Sequence, residues 1–268
     1  MIKVAVILPI YIHDEFELFK KAILSISKQT FQDYTLIIVV DGPVKAEFVN
    51  YIEEIKSPKI EILKFQENRG LAAVLNDAIK YCKSKSYDYI VRMDADDLSH
   101  HNRLEKQIKF LNENPEVAVL GTQAYIINND DEVIGQKNAS PFIDYNILKK
   151  KSDIIHPSVI FRSTFFDTVG YYSENVSRAE DYELWFRAAQ KNLVLKSIND
   201  RLYYFRYDDK IIERRKSAQK YIIKVKKRYL KISDYHYLIS HYIIRAMPNF
   251  FLKLILYKSI KKDAKTDF

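Results

Sequence analysis

The chain has 268 residues, 47% hydrophobic and 29% charged, with one cysteine and a net charge of +8, which excludes a disordered protein and any intrachain disulfide. No run of 18 or more apolar residues occurs and the opening MIKVAVILPIY is too short and too β-branched for a signal peptide, so neither a spanning helix nor a leader is expected and a reducing, cytoplasmic setting fits. From Arg201 onward there are 18 Lys/Arg against 6 Asp/Glu, so a mildly acidic body carries a basic tail suited to an anionic partner.

Residues 3–9 predict a first strand. Residues 15–28 place Phe16, Phe19, Ile23 and Ile26 at helical spacing. A strand over residues 34–40 runs into Asp41, Gly42 and Pro43, followed by a helix over 45–55 and a strand over 60–64. Residues 70–82 set Leu71, Val74, Leu75, Ala78 and Ile79 on one helical face; a strand over 89–93 and a helix over 103–112 follow. This alternation, with near-continuous Val/Ile strands, argues for an α/β fold with a mostly parallel sheet and helices on both faces. Ligands in such folds bind beyond the carboxyl ends of the strands. Past Gly121 the pattern becomes mixed, with short β-like runs at 117–120, 124–127, 133–135 and 158–161. Residues 178–191 read as a helix and residues 193–198 and 201–206 as a pair of strands. From about residue 210 the chain reads as helical and basic, divided at Pro248.

The five glycines are scattered, so neither GxGxxG nor GxxxxGK[ST] is present. A bound nucleotide would have its charge met by a cation or by side chains. The candidate is YDYIVRMDADDLSHHNRLEKQ, residues 87–107, where an apolar run ends on Asp94, Asp96 and Asp97. Carboxylates this close raise each other's pKa unless something positive sits among them. Mg2+ and Mn2+ take one or two carboxylates plus substrate phosphates, which makes Asp94-x-Asp96 a candidate metal and nucleotide site. The alternative is that Asp97 or Ser99 caps the helix leading to Arg103. Asp41 ends a neighbouring strand and can accept from a base N–H, or stand as an ordinary turn aspartate before Gly-Pro. In SRAEDYELWFRAAQ, residues 177–190, Glu180 and Asp181 open a helix. They either answer the helix dipole or supply a general base across the cleft. His156 precedes a strand, where a hydrogen-bonded structural histidine is one reading.

Over residues 2–207 the sequence resembles the family 2 glycosyltransferases, which have the GT-A fold. The resemblance rests on VAVILPIY, QTFQDYTLIIVVDGP, NRGLAAVLNDAI, RMDADDLSHHNRLEKQIKFLNENPEV, IIHPSVIFR and AEDYELWFRAAQ, in that order. VVDGP, the RLEKQ segment and the tail IIRAMPNFFLKLILYKSIKK look like the subgroup that builds bacterial O-antigen, capsule and exopolysaccharide. The resemblance implies a glycosyltransferase domain over residues 1–207 and a basic amphipathic helical tail over 208–268. It implies that Pro9 and Tyr11 lie against uracil and that Asp41 binds the base. Asp94 is then near the ribose and diphosphate, Asp96 is the ligand of Mn2+ or Mg2+, and Asp181 is the catalytic base, with Glu180 the next candidate and His156 near the donor or acceptor cleft. Three departures matter. Val40, Asp41, Gly42 and Pro43 stand where the family often has Asp-Asp-Gly-Ser, so only the base-binding Asp carries over. Leu75 stands where many relatives carry Arg or Lys, leaving Arg69 as the nearby phosphate candidate. The QxxRW motif of processive synthases is absent, which points to single transfers.

The implied reaction is inverting, metal-dependent transfer of a hexose, galactose or glucose, from a UDP-sugar to a saccharide hydroxyl. The implied acceptor is carried on a lipid diphosphate such as undecaprenyl diphosphate, and an α-linked donor gives a β-linked product. The tail interleaves Tyr, Phe, Leu and Ile with Lys and Arg, an interfacial composition. It predicts peripheral attachment to the anionic inner face of the cytoplasmic membrane; docking on the body as core helices is the other reading, and the two can coexist. Two functions compete. A metal-dependent nucleotidyltransferase would want a basic, glycine-rich loop where this chain has LPIYIHDEFE. Nucleic-acid binding through the tail is opposed by the acidic body.

Overall fold

A computed structural model describes residues 2–208 and 211–255. Strand alternation decides the architecture. Along β1 (Val4–Tyr11), Ala5 and Ile7 enter one buried cluster, while Val4, Val6, Leu8 and Ile10 enter a second on the opposite face. A strand apolar on both sides needs cover on both sides. Helices α1 (Phe16–Ser27) and α2 (Ala46–Glu54) cover one face through Phe19, Ile23, Phe48 and Ile52. Helix α3 (Leu71–Ser84) covers the other through Val74, Leu75, Ala78 and Ile79. With β2 (Tyr34–Asp41), β3 (Ile60–Lys64) and β4 (Tyr89–Arg92) they complete a parallel half-sheet in the order β3-β2-β1-β4.

After β4 the chain forms β5 (Leu98–Ser99), α4 (Arg103–Glu113), β6 (Val117–Ile127), β7 (Val133–Lys137), β8 (Phe142–Ile143) and α5 (Tyr145–Leu148). Then come a 3₁₀ turn (His156–Ser158), β9 (Ile160–Arg162), α6 (Phe165–Val169), α7 (Glu180–Gln190) and β10 (Val194–Arg206). Strand β9 lies antiparallel between β4 and β6, and β10 runs parallel to β6. The sheet is therefore mixed but mostly parallel.

Two expectations are corrected. The runs at 117–120 and 124–127 are one strand. The intervening Thr122 and Gln123 have their polar groups met inside the protein, Thr122 N–H donating to Ser158 Oγ (3.1 Å) and Gln123 Nε2 to the Ala139 carbonyl (3.0 Å). The expected strand pair at 193–198 and 201–206 is also one strand, β10. Asn199 and Asp200 look like a turn, but they form a bulge: the register against β6 shifts between Ile198 and Arg201 and again before Tyr203.

The basic segment begins with α8 (Ile211–Tyr229), which packs on the body. Val225, Leu230 and Leu238 join the cluster that contains the core face of α7, and the Tyr229 ring stacks on Phe186 at 5.1 Å. The buried Lys226 ammonium donates to the Lys150 carbonyl (3.0 Å). A 3₁₀ stretch (Ile232–Leu238) leads to α9 (Ile239–Ala246), which buries no residue. Met247 turns extended (φ −67°, ψ 137°), as a residue before proline does, and residues 249–255 are helical. The division at Pro248 is as expected. Among the described residues no helix is long and apolar enough to cross a membrane. The end of the basic tail, from residue 256, lies outside the described residues.

Candidate active site

The parallel strands end together. Tyr11 and Asp41 are register partners across β1 and β2, and Met93 N–H donates to the Ile7 carbonyl as β4 ends. Pro9 is half-buried within β1 and Tyr11 is exposed. Asp41 is buried, its carboxylate accepting from the amides of Arg69 (2.7 Å) and Gly70 (3.0 Å) at the start of α3. The Asp41 turn lies so close to this loop that a Cβ on Gly42, at φ +81°, would stand 2.6 Å from Asn68 N. The Arg69 guanidinium is engaged elsewhere, paired with Asp77 (2.6 Å) and lying over Phe65.

Carboxylate oxygens of Asp94, Asp96 and Asp97 all lie within 4.8 Å of one another. Neither Asp97 nor Ser99 caps α4; Asn102 holds that position. Asp97 is buried; one of its oxygens accepts from Arg206 N–H (2.7 Å) and the other has no partner. The turn is braced from β10, where Arg206 Nε donates to the Asp96 carbonyl (2.6 Å) and Tyr203 Oη accepts from Asp94 N–H (3.2 Å). Burial, then the neighbouring Asp94, pushes the Asp96 carboxyl up to about 6. Burial and the two adjacent carboxylates raise Asp97 well above the usual range. Asp14 faces the same cluster; it accepts from Tyr11 N–H (2.8 Å), and burial, with Asp96 and Asp94 adding, pushes it to about 7. The site is short of positive charge and supplies hard oxygen donors, one of them orphaned. These residues fit Mg2+ or Mn2+.

Glu180 and Asp181 form the first turn of α7, whose N-cap is Ala179. Glu180 is 8% exposed with Oε2 lacking a partner, and burial and the Asp181 charge push it to about 7. Burial also raises Asp181, against the opposing pull of the Tyr182 amide and of Lys137. Lys137 lies over the Phe205 ring at 3.9 Å, and burial brings its ammonium down to about 8. Asp97, Asp181 and Asp94 all act on it, so it faces both acid groups. His156 Nε2 bonds Tyr172 Oη (2.7 Å), with the ring edge-on to Trp185. Burial and the Arg92 charge hold it well below 6.5, so it is neutral at pH 7.

Four charged residues that the sequence did not single out belong to this site: Asp14, Arg92, Lys137 and Arg206. Only Arg92 left a local signal, as a cation inside an apolar strand two residues before Asp94. The RLEKQ segment also takes on a physical meaning. Buried Arg103 donates to the carbonyls of Arg92 (2.8 Å) and Pro157 (3.3 Å), and Gln107 donates to those of Leu120 and Ser158 (both 2.9 Å). Together they pin the acid turn to the His156 turn.

Comparison with known proteins agrees with this arrangement. The family model described as Glycosyl transferase family 2 matches residues 5–170. The UDP-Gal:alpha-D-GlcNAc-diphosphoundecaprenol beta-1,3-galactosyltransferase of Escherichia coli is 27% identical, over 94% of this chain and 92% of its own. The O-antigen biosynthesis glycosyltransferase WbnJ of Escherichia coli is 29% identical, over 81% of this chain and 84% of its own. S. aureus TarS 1-349 in complex with UDP superposes with a TM-score of 0.64 at 19% identity, over 90% of this chain and 70% of its own. This chain spans 43% of a longer TarS chain. The mannosyltransferase PcManGT from Pyrobaculum calidifontis, in complex with GDP-Man and Mn2+, gives a TM-score of 0.64 at 17% identity, over 99% of this chain and 75% of its own. With a family model matched across most of the sheet and its acid-ended strands, this chain belongs to glycosyl transferase family 2 and has the GT-A fold.

Proposed function

We propose that the protein is an inverting, metal-dependent hexosyltransferase. It moves galactose or glucose from a UDP-sugar to a hydroxyl of a saccharide carried on a lipid diphosphate, in bacterial surface polysaccharide synthesis. The observation that carries this reading is the pairing of two acid groups. One is the under-neutralised turn of Asp94, Asp96 and Asp97; the other is the pair Glu180 and Asp181, both with raised pKa values. The donor and acceptor classes are supported by the name of the Escherichia coli galactosyltransferase, and the metal by the Mn2+ of the mannosyltransferase. Neither the nucleotidyltransferase nor the nucleic-acid reading gains support from the family.

In this reading Pro9 and Tyr11 flank the uracil and Asp41 accepts from its N–H. Asp94 lies by the ribose and diphosphate, and Asp96 holds Mn2+ or Mg2+ with Asp97 adjoining. A bound divalent ion supplies electrostatic stabilisation of charge on the departing nucleoside diphosphate. Asp181 takes the proton of the acceptor hydroxyl. The acceptor oxygen bonds to the anomeric carbon as the bond to the diphosphate breaks on the opposite face, so an α-linked donor yields a β-linked product. Burial raises the Asp181 carboxyl above the ordinary aspartate value, so protonation removes the base at a higher pH than it would for a free aspartate, and the transfer rate falls toward acid.

Assaying UDP-, GDP- and dTDP-sugars with Mn2+ and an N-acetylhexosamine-diphosphate lipid tests the reading. Transfer from a UDP-hexose is expected; a preference for another nucleotide would displace the UDP assignment, and transfer from none would sink the reading. Asp41→Ala is expected to weaken UDP binding with or without Mn2+. It also frees two amides at the start of α3, for about 1 kcal/mol of stability. Calorimetry in Mn2+ and in EDTA checks this, and a loss confined to the metal-dependent part would remove Asp41 from the base.

Residues 208–268 are, in the same reading, the appendage that holds the enzyme at the inner face of the cytoplasmic membrane. Exposed Ile239, Tyr242 and Ile243 on α9, and Phe250, Phe251 and Ile255 beyond Pro248, supply apolar surface, and the segment carries the basic excess. Binding to vesicles rich in anionic lipid is expected, weakening as salt rises. Phe250→Asp with Phe251→Asp should release the protein. Equal binding to RNA at matched salt would return the tail to a general polyanion role.

A further inference from the structure

Arg206 ends β10 at 2% exposure, and the proposed chemistry gives it no part. A guanidinium stays charged wherever it is placed, and burying one is costly unless its donors are met. Here each of its three nitrogens has an acceptor, and the acceptors lie on two separate segments. Nε donates to the Asp96 carbonyl (2.6 Å). Nη1 donates to the Asn128 carbonyl, and Nη2 pairs with Asp131 Oδ1 (2.5 Å). The backbone N–H of the same residue donates to Asp97 Oδ1 (2.7 Å). Arg206 therefore grips the acid turn at two points, by backbone and by side chain, and its guanidinium spans from that turn to the tip of the β6–β7 hairpin.

The hairpin tip is shaped to receive it. Arg206, Ile127 and Val133 are register partners across β10, β6 and β7, so residues 128–132 close beside the guanidinium. Asn128 Oδ1 accepts from the amides of Asp130 (3.0 Å) and Glu132 (2.9 Å), and Asp131 N–H donates to the Asn128 carbonyl (3.2 Å). Asp131 stands at φ +65°, a conformation that Asp adopts more readily than most side chains. Its second oxygen takes the ammonium of Lys21 from α1 (2.5 Å). The tip is thus tied to α1 on one side and, through Arg206, to the acid turn on the other.

We propose that Arg206 is a positioning residue for the divalent ion: oriented by Asp131, it fixes the backbone of Asp96 and the carboxylate of Asp97 in the arrangement that holds the ion. The ion rests on the glycosyltransferase reading; the hold on the turn does not. Charge and position make opposite demands here. Taking a cation away from a cluster of carboxylates would, by charge alone, tighten a divalent ion. Taking away the donors that hold the turn lets the ligands spread, and partners of this kind are worth about 10- to 100-fold in metal affinity. The two also part at Asp131. Asp131→Asn and Asp131→Gly remove the same charge, but only Asn keeps an acceptor for Nη2, and Gly takes the positive φ without strain.

The test measures Mn2+ binding to the full chain with UDP by calorimetry, and amide hydrogen exchange of residues 93–98 without metal. Wild type is compared with Arg206→Met, Arg206→Lys, Asp131→Gly and Asp131→Asn. Arg206→Met is expected to weaken Mn2+ by about tenfold or more and to speed exchange of the acid turn. Arg206→Lys keeps the charge but has no planar fork to span Asp96, Asn128 and Asp131, so it should fall with Arg206→Met. Asp131→Gly should lose affinity in the same direction, and Asp131→Asn should restore it to within about twofold of wild type. Where Arg206→Met does not fold, the two Asp131 variants decide. Mn2+ affinity unchanged or tighter in a folded Arg206→Met overturns the proposal, as do equal losses in Asp131→Asn and Asp131→Gly. A wild-type protein that binds no Mn2+ counts against the metal reading, and the exchange of residues 93–98 still decides the hold of Arg206: rates unchanged in the variants would end it.

Discussion

Asp96→Ala is expected to reduce transfer by ~10³-fold or more and to erase the Mn2+-dependent part of UDP binding. The variant should fold, because the acid turn is held by backbone contacts that the side chain does not supply: Arg206 Nε on the Asp96 carbonyl and Tyr203 Oη on Asp94 N–H. Its stability should rise at neutral pH. The Asp96 carboxyl goes from 3.8 to about 6 on folding, through burial and the Asp94 charge. A raised carboxyl contributes stability below its unfolded pKa and loses it as pH climbs through the folded value. The wild type is therefore penalised above pH 6, and Ala removes the penalty. Melting curves should show the variant more stable at pH 7.5 and the gain gone near pH 4. Calorimetry that finds UDP affinity in Mn2+ unchanged would end the metal assignment.

Asp181→Asn should slow transfer by roughly 10²–10⁴-fold, about 3–5 kcal/mol of barrier, with donor affinity almost unaltered. Asn keeps the size and can accept from the Tyr182 amide but cannot take a proton. Were Asp181 only a dipole-stabilising residue of the α7 first turn, Asn would cost at most about 1 kcal/mol of stability and little turnover. The structure separates it from an N-cap, since Ala179 holds that position and Asp181 lies inside the first turn. Single-turnover transfer with donor pre-bound decides between these. A rate within about threefold of wild type would pass the role to Glu180, whose carboxyl stands at about 7.

Local pattern carried the parallel half of the sheet. From β1 to α4 every element except the two-residue β5 announces itself through Val/Ile runs or helical spacing, and aspartates stand where strands must end. Asp41, the acid turn and the Glu180–Asp181 helix start were legible because each lies at the boundary of an element that the pattern defines. Beyond α4 the reading weakened. β6 was divided at Thr122 and Gln123, whose polarity looks like a turn until Ser158 and Ala139 arrive to meet it. β10 was divided at Asn199 and Asp200 because a bulge inside a long strand has the composition of a hairpin loop.

The sequence alone determined which side chains carry negative charge and that strand ends gather them, since Asp94, Asp96 and Asp97 are neighbours in the chain. Only the tertiary structure decided what answers that charge. Arg206 stands 110 positions from Asp96 and braces its turn because β10 pairs with β5 at the edge of the sheet. Asp14 and Lys137 come from a loop and an outer strand with no pattern of their own. Arg92 was visible as a residue but not as the buried partner of Asp94, which only the folded sheet sets at 2.6 Å. Backbone preference is a property of a few consecutive residues, whereas the pairing order of strands is settled by burial across the whole chain, and the field at the site follows that order.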